Sequence, residues 1–202
     1  MSNVQLIEDI NEQDFKCIND INNESFNSEN SSSAIEICPE DLIDQNIFSY
    51  NKNEKLIQSI TFAIEKLIVN RSNININNSS IVLLDIFNND EIPNISIYNY
   101  LSRIVEYTNC EDNILILSLT YLNQIIKKNI NLTVFNIHKF LFASILLAIK
   151  MNEDKIYKNE YYSSIAGISL KELNLIEYNF LIILDFQIFI PENIFNYYKN
   201  EF

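Results

Sequence analysis

Five side chains in this sequence have a type and position suited to chemistry or to gripping a charged partner: His138, Lys150, Glu153, Asp154 and Glu177. His138 is the only histidine and stands beside Lys139 at the head of a long apolar run. It reads as a partly exposed helix residue rather than a general base. Glu153 and Asp154 form an acidic pair that can serve a metal or acid/base role, but no second carboxylate pair or histidine accompanies them. An acidic turn, or a contact with a basic residue of a partner, are the other readings. Phosphate-cradling loops need several glycines, and the chain has only Gly167. Cys17, Cys38 and Cys110 are scattered and odd in number, with neither metal spacing nor a disulfide framework. The residues therefore give no support to catalysis, and no catalytic residue, metal or cofactor is expected.

Lys150 is more informative because of what precedes it. The stretch TVFNIHKFLFASILLAIKM, Thr133 to Met151, is apolar from Phe140 to Ile149 and stops at the lysine. It is too short to span a bilayer and predicts a helix buried on most of its circumference. Ala143, Ser144 and Ala148 allow neighbouring helices to approach closely. A lysine at such a helix end can lay its stem on apolar surface while its ammonium reaches a partner. It can equally complement the helix macrodipole. Glu177 is the polar exception in the broad apolar surface of LKELNLIEYNFLIILDF, where Leu173, Ile176 and Phe180 leave little polar face.

The elements that must position these residues are all helical. Residues 1–52 are acidic and rich in Asn and Ser, with Lys16 and Lys52 their only basic residues. Such a segment is expected to be a disordered tail, with Ser25, Ser28 and Ser31 to Ser33 as candidate phosphorylation sites. Residues 53–92 hold a helix with Leu56, Ile60, Ala63, Ile64, Leu67 and Ile68 on one face, then an Asn-rich loop at 70–80 and a short apolar turn at Ile81 to Phe87. Residues 93–202 are the main domain. Ser96 is placed to cap a helix carrying Ile97, Leu101, Ile104 and Val105. Thr108 to Glu111 and Ser169 to Glu172 fit capping boxes. Thr133 would cap the central helix, Gly167 would end the next one, and Pro191 would open the last. The spacing predicts five helices between about 94 and 186, a sixth behind them, and no strand.

Composition narrows the partners. A formal net charge of −13, from 14 basic and 27 acidic residues, argues against nucleic acid or an anionic membrane as the main partner. The N-terminus, MSNVQLIEDINEQDF, lacks the basic start and apolar run of a secretory signal. With the scattered cysteines, it leads us to expect an intracellular location, in nucleus or cytoplasm.

Taken in order, PNISIYNYLSRIVEYTNC, LSLTYLNQII, HKFLFASILLAIK, NEYYSSIAGISLKELNLIEYNFLIILDF and PENIFNYY resemble a cyclin box, and within that family the P/U-type group. The resemblance covers roughly residues 92 to 199. It implies an all-α fold, a five-helix bundle around a buried central helix. It also implies a regulatory subunit, not an enzyme, that binds and activates a cyclin-dependent protein kinase. In that family a lysine ending the third helix and a glutamate in the fifth contact the kinase, here Lys150 and Glu177. Glu153 and Asp154 would lie close by, where they could pair with an arginine of the kinase. One departure is Tyr121-Leu-Asn123-Gln124, where the family usually carries an Asp-Arg pair; an internal ion pair would here be a neutral hydrogen bond. A kinase-independent scaffold in transcription is the alternative, and its DNA contacts would need a basic surface that a sequence pI near 4.4 does not favour.

Overall fold

The central run buries itself as its composition demands. The computed structural model describes residues 45–71 and 84–201, with side chains at 54–68 and 84–201. In it, α4 spans Ile137–Asn152, and every residue from Ile137 to Ile149 except Lys139 is buried. Around it lie α2 (Ile97–Thr108), α3 (Asp112–Lys127), α5 (Asn159–Ala166) and α6 (Leu170–Ile183). They are preceded by α1 (Gln45–Arg71) and a 3-10 turn at Asp85–Phe87, and followed by α7 (Glu192–Glu201). The described residues are thus all helical, without a strand. Ser49–Asn200 form one compact unit; of the other, Met1–Phe48, only Gln45 to Phe48 are described, as the first turn of α1. The acidic tail with Ser25, Ser28 and Ser31 to Ser33, and the loop at 72–80, lie outside the described residues.

Packing follows from the apolar stripes. The most extensive interface is α3 on α4; α6 also packs on α4, with α5 against it. Phe87 from the 3-10 turn is fully buried, and its ring stacks parallel on Phe140 of α4 at 4.1 Å between centroids. Phe180 of α6 leans on both rings at 6.4 and 6.5 Å. Three aromatic rings therefore join the pre-helix segment, α4 and α6 in one cluster, a geometry that adds to their area burial. On α1 the buried stripe runs through Ile57, Ile60, Ala63 and Ile64, with Leu56, Leu67 and Ile68 at its margin.

Helix ends match the expectations in part. Ser96 caps α2 by accepting from the Asn99 N–H, and Ser169 caps α6 by accepting from Glu172 N–H. The Glu172 carboxylate does not reach back, because Lys139 holds it in an ion pair at 2.8 Å. Gly167 ends α5 with φ of 74°, the left-handed conformation that glycine takes without steric cost. Two caps are corrected. Thr108 turns its hydroxyl onto the Ile104 carbonyl inside the last turn of α2, and Glu111 makes no side-chain cap for α3. Thr133 sits one turn before α4, where Asn136 folds back to accept from the Thr133 N–H at 2.8 Å.

Other corrections have plain causes. α1 begins at Gln45, inside the expected tail, because propagating a formed helix costs far less than starting one. α6 is less buried than its composition suggests, and Leu175 and Tyr178 are exposed. Pro191 stands just before α7, its carbonyl accepting from Ile194 and Phe195. Asn123 is hydrogen-bonded to Tyr198 of α7. A tether in the same run, Tyr121 Oη donating to the Ile188 carbonyl at 2.8 Å, holds the segment between α6 and α7. Tyr121→Phe should lower stability by about 1 kcal/mol, read as a lower midpoint in thermal unfolding with unchanged helical circular dichroism. An unshifted midpoint would show that this hydrogen bond contributes nothing net.

Candidate functional site

The helix ends that surround Lys150 decide what it can do. Lys150 lies in the last turn of α4, where unpaired carbonyls carry partial negative charge. Asn152 answers one of them by donating to the Ala148 carbonyl at 2.8 Å. The Lys150 ammonium reaches both α5 and α6. There Nζ donates to Glu177 Oε1 at 2.5 Å and to Asn159 Oδ1 at 2.8 Å. Asn159, the first residue of α5, returns the bond by donating from Nδ2 to Glu177 Oε2 at 2.9 Å and to Asn174 Oδ1 at 2.7 Å. Lys150 and Glu177 side chains each keep 22% of their surface exposed. The cluster thus pins the junction of three helices and still meets solvent.

Chemically this is a polar latch set in apolar surroundings. An ammonium has three donors, and two are used within the cluster. One donor and the outward side of the Glu177 carboxylate remain for a partner. Met151, next to Lys150, and Tyr178, next to Glu177, are exposed, as are Ile156, Tyr157 and Tyr161 on the segment that leads through α5. Exposed apolar side chains beside a paired charge suit a protein interface better than a reaction centre.

Of the residues singled out from sequence, the structure brings Lys150 and Glu177 together and adds Asn159 and Asn174 to them. No sequence signal separates those two asparagines from the many others. Glu153 and Asp154 do not join this cluster. They line a groove of about 690 Å³ together with Glu111, Glu192, Lys155, Phe189 and Phe195. Neither carboxylate has an ion-pair partner among the described residues. His138 is not partly exposed as expected: it is 8% exposed, its Nε2–H donates to the Ile95 carbonyl at 3.0 Å, and its ring edge meets Tyr100. Among the described residues no group of three or more His, Cys, Asp or Glu is placed to hold a metal ion, and no helix is long and apolar enough to cross a membrane.

Two outcomes follow from this geometry. Lys150 and Glu177 should couple by about 1 kcal/mol in a double-mutant cycle with Lys150→Met and Glu177→Gln, above the near-zero value of fully exposed pairs. Additive denaturation midpoints would show that the pair is not stabilising. Burial lowers the His138 pKa below its ordinary 6.5. The unfolded chain then takes up a proton that the folded one does not, so this contribution is complete above about 6.5 and declines as pH falls below it. His138→Gln should flatten that part of a stability-against-pH curve; an unchanged slope would assign it to other groups.

Comparison with known proteins agrees with the geometry. The family model described as Cyclin matches residues 5–188, reaching well before the stretch whose motifs carry the resemblance. Cyclin-U4-3 of Arabidopsis thaliana is 39% identical over 108 residues, 52% of this chain and 49% of that protein. Cyclin-P4-1 of Oryza sativa subsp. japonica is 38% identical over 91 residues, 44% of this chain and 43% of its own length. The PHO85 cyclin-like protein psl1 of Schizosaccharomyces pombe is 37% identical over 108 residues, 52% of this chain and 44% of that protein. The chain spans about half the length of the curated relatives it matches. An all-helical domain wrapped on one buried helix, matched over most of its length by this family model, belongs to the cyclin family, and its relatives are of the P and U types.

Proposed function

We propose that this chain is the regulatory subunit of a cyclin-dependent serine/threonine protein kinase, which it binds and activates in cell-cycle or nutrient-linked control. The observation that carries the reading is the Lys150–Asn159–Glu177 latch, half-buried and bordered by exposed Met151, Tyr157 and Tyr178. A kinase helix laid on that apolar surface would bring backbone carbonyls to the remaining Lys150 donor and backbone N–H groups to Glu177. One relative, psl1, carries the name of a cyclin-like protein linked to PHO85, a kinship that supports a kinase as partner. The low pI works against the scaffold alternative, whose DNA contacts need basic surface. An intracellular setting belongs to the same reading.

In this reading Glu153 and Asp154 have a separate task. They face a groove rather than the latch, and its four carboxylates, of Glu111, Glu153, Asp154 and Glu192, outnumber Lys155 there and suit an arginine of the kinase activation segment, held by bidentate hydrogen bonds. The latch would then supply affinity, while the acidic pair would order the kinase for phosphate transfer.

The test is affinity purification with the chain as bait, identification of the retained kinase by mass spectrometry, and assay of its phosphotransfer with and without the chain. Lys150→Met should weaken the complex by about 2 to 5 kcal/mol, the usual cost of removing one partner of a desolvated charged contact. That is on the order of thirtyfold to several thousandfold in affinity. Replacing Glu153 and Asp154 together, by Ala and Asn, should lower kinase activity more than binding. Retention of full affinity by a folded Lys150→Met would remove the latch from the interface.

A further inference from the structure

The groove that Glu153 and Asp154 line has a second component, which an arginine alone would leave unused. Its volume of about 690 Å³ lies within the range of clefts that enclose a ligand, and more of its surface is apolar than polar. Ile114 and Leu117 of α3, Phe195 of α7, and Phe189 and Ile190 between α6 and α7 supply the apolar part. Phe189 is 82% exposed, more than any other large apolar side chain among the described residues. The fold therefore gains almost nothing from burying this ring.

The carboxylates divide into two kinds. Glu111 and Glu192 stand at the N-terminal ends of α3 and α7, where the helix macrodipole favours a negative charge. Glu153 and Asp154 follow the C-terminal end of α4, where the same dipole disfavours one. None of the four has an ion-pair partner among the described residues, and Lys155 is the only cation lining the groove. Helix stability thus explains Glu111 and Glu192 but neither the other two carboxylates nor the exposed ring. A segment with an apolar side chain set among positive charges would answer both. This chain does not supply one from its own N-terminal part, since residues 1–52 have Lys16 and Lys52 as their only basic residues. A second copy, with a net charge of −13, is repelled rather than drawn. A small cation would leave the apolar side chains uncovered.

We propose that this groove docks an extended segment of a partner protein in which an aromatic or large aliphatic side chain lies between basic residues. The apolar side chain packs with Phe189 and Phe195, and the flanking cations meet the carboxylates through charge-assisted hydrogen bonds. The inference deepens the reading of Glu153 and Asp154 given above and rests on it for the owner of the segment, the kinase. The probe is a labelled Gly/Ser peptide carrying one phenylalanine between two arginines, titrated with the full chain at low salt and followed by fluorescence anisotropy. Saturable binding is expected, weakening as salt rises. It should weaken at least tenfold when the arginines become glutamines, and again when the phenylalanine alone becomes serine. Spermine, a polycation without a ring, should displace the peptide at least tenfold less effectively than unlabelled peptide does. In the chain, Glu153→Gln with Asp154→Asn, and separately Phe189→Ser, should each lower affinity at least tenfold while the thermal midpoint holds or rises. No saturable binding, indifference to the arginines or the phenylalanine, equal displacement by spermine, unchanged affinity in either variant, or a lowered midpoint would each overturn the proposal. The titration contains no kinase, so it can fail while the chain still retains one, and a chain that retains none can still bind the peptide.

Discussion

Everything in this domain depends on burying one helix from all sides. Between Ile137 and Ile149 only Lys139 escapes full burial, so α4 offers no solvated face on which its polar groups could rest. Even Ser144 is completely enclosed, and its hydroxyl returns to the Leu141 carbonyl of its own helix. A helix of that kind has little stability alone and acquires it from neighbours. α3 makes the most extensive cover, α6, α2 and α5 also pack on it, and Phe87 adds its stack on Phe140. The small residues Ala143, Ser144 and Ala148 let those neighbours come near.

The same constraint explains why charge is concentrated where α4 stops. An ammonium at the edge of an apolar helix needs partners that do not require full dehydration. Asn159 and Glu177 meet that need from two helices at once, so the end of α4 fixes how α5 and α6 are set. Partial exposure keeps the pair from the heavy desolvation cost of a buried one. The proposed recognition site and a structural joint therefore coincide in three residues. A partner that gripped Lys150 would also grip the packing of the domain.

Much of this is legible from residue order. The central run announces its burial by length and composition, and the stripe on α2 gives its inner face directly; only Tyr100 is buried outside that stripe. Ser96, Ser169 and Gly167 carry local signals that the backbone obeys. The Lys150–Glu177 pairing is less visible, since their 27-residue separation gives no periodic signal and only the fold brings them together. Glu153 and Asp154 look like neighbours of Lys150 by number, yet they line another groove, because the chain leaves α4 in extended conformation at Glu153. Asparagine reads as compositional bias in the sequence. Two copies, Asn109 and Asn129, hold left-handed φ values of 49° and 61° at helix ends, a task left to them in a chain with one glycine. His138 misleads for a different reason: a polar type at a helix start suggests solvent, whereas Tyr100 and the Ile95 carbonyl enclose it.

Lys139 has a consequence of its own. Its side chain is 11% exposed, and the ammonium binds the Ile86 and Asn88 carbonyls on one side and Glu172 on the other. Those groups belong to the segment before α2 and to the first turn of α6, which are distant in sequence and otherwise open to fraying. Tied through one side chain of the central helix, neither end can loosen without uncovering a charge that the other end also needs. The residues around Phe87 and the start of α6 should therefore open together, and the amide protons of the short pre-helix turn should exchange as slowly as those of the core beneath it.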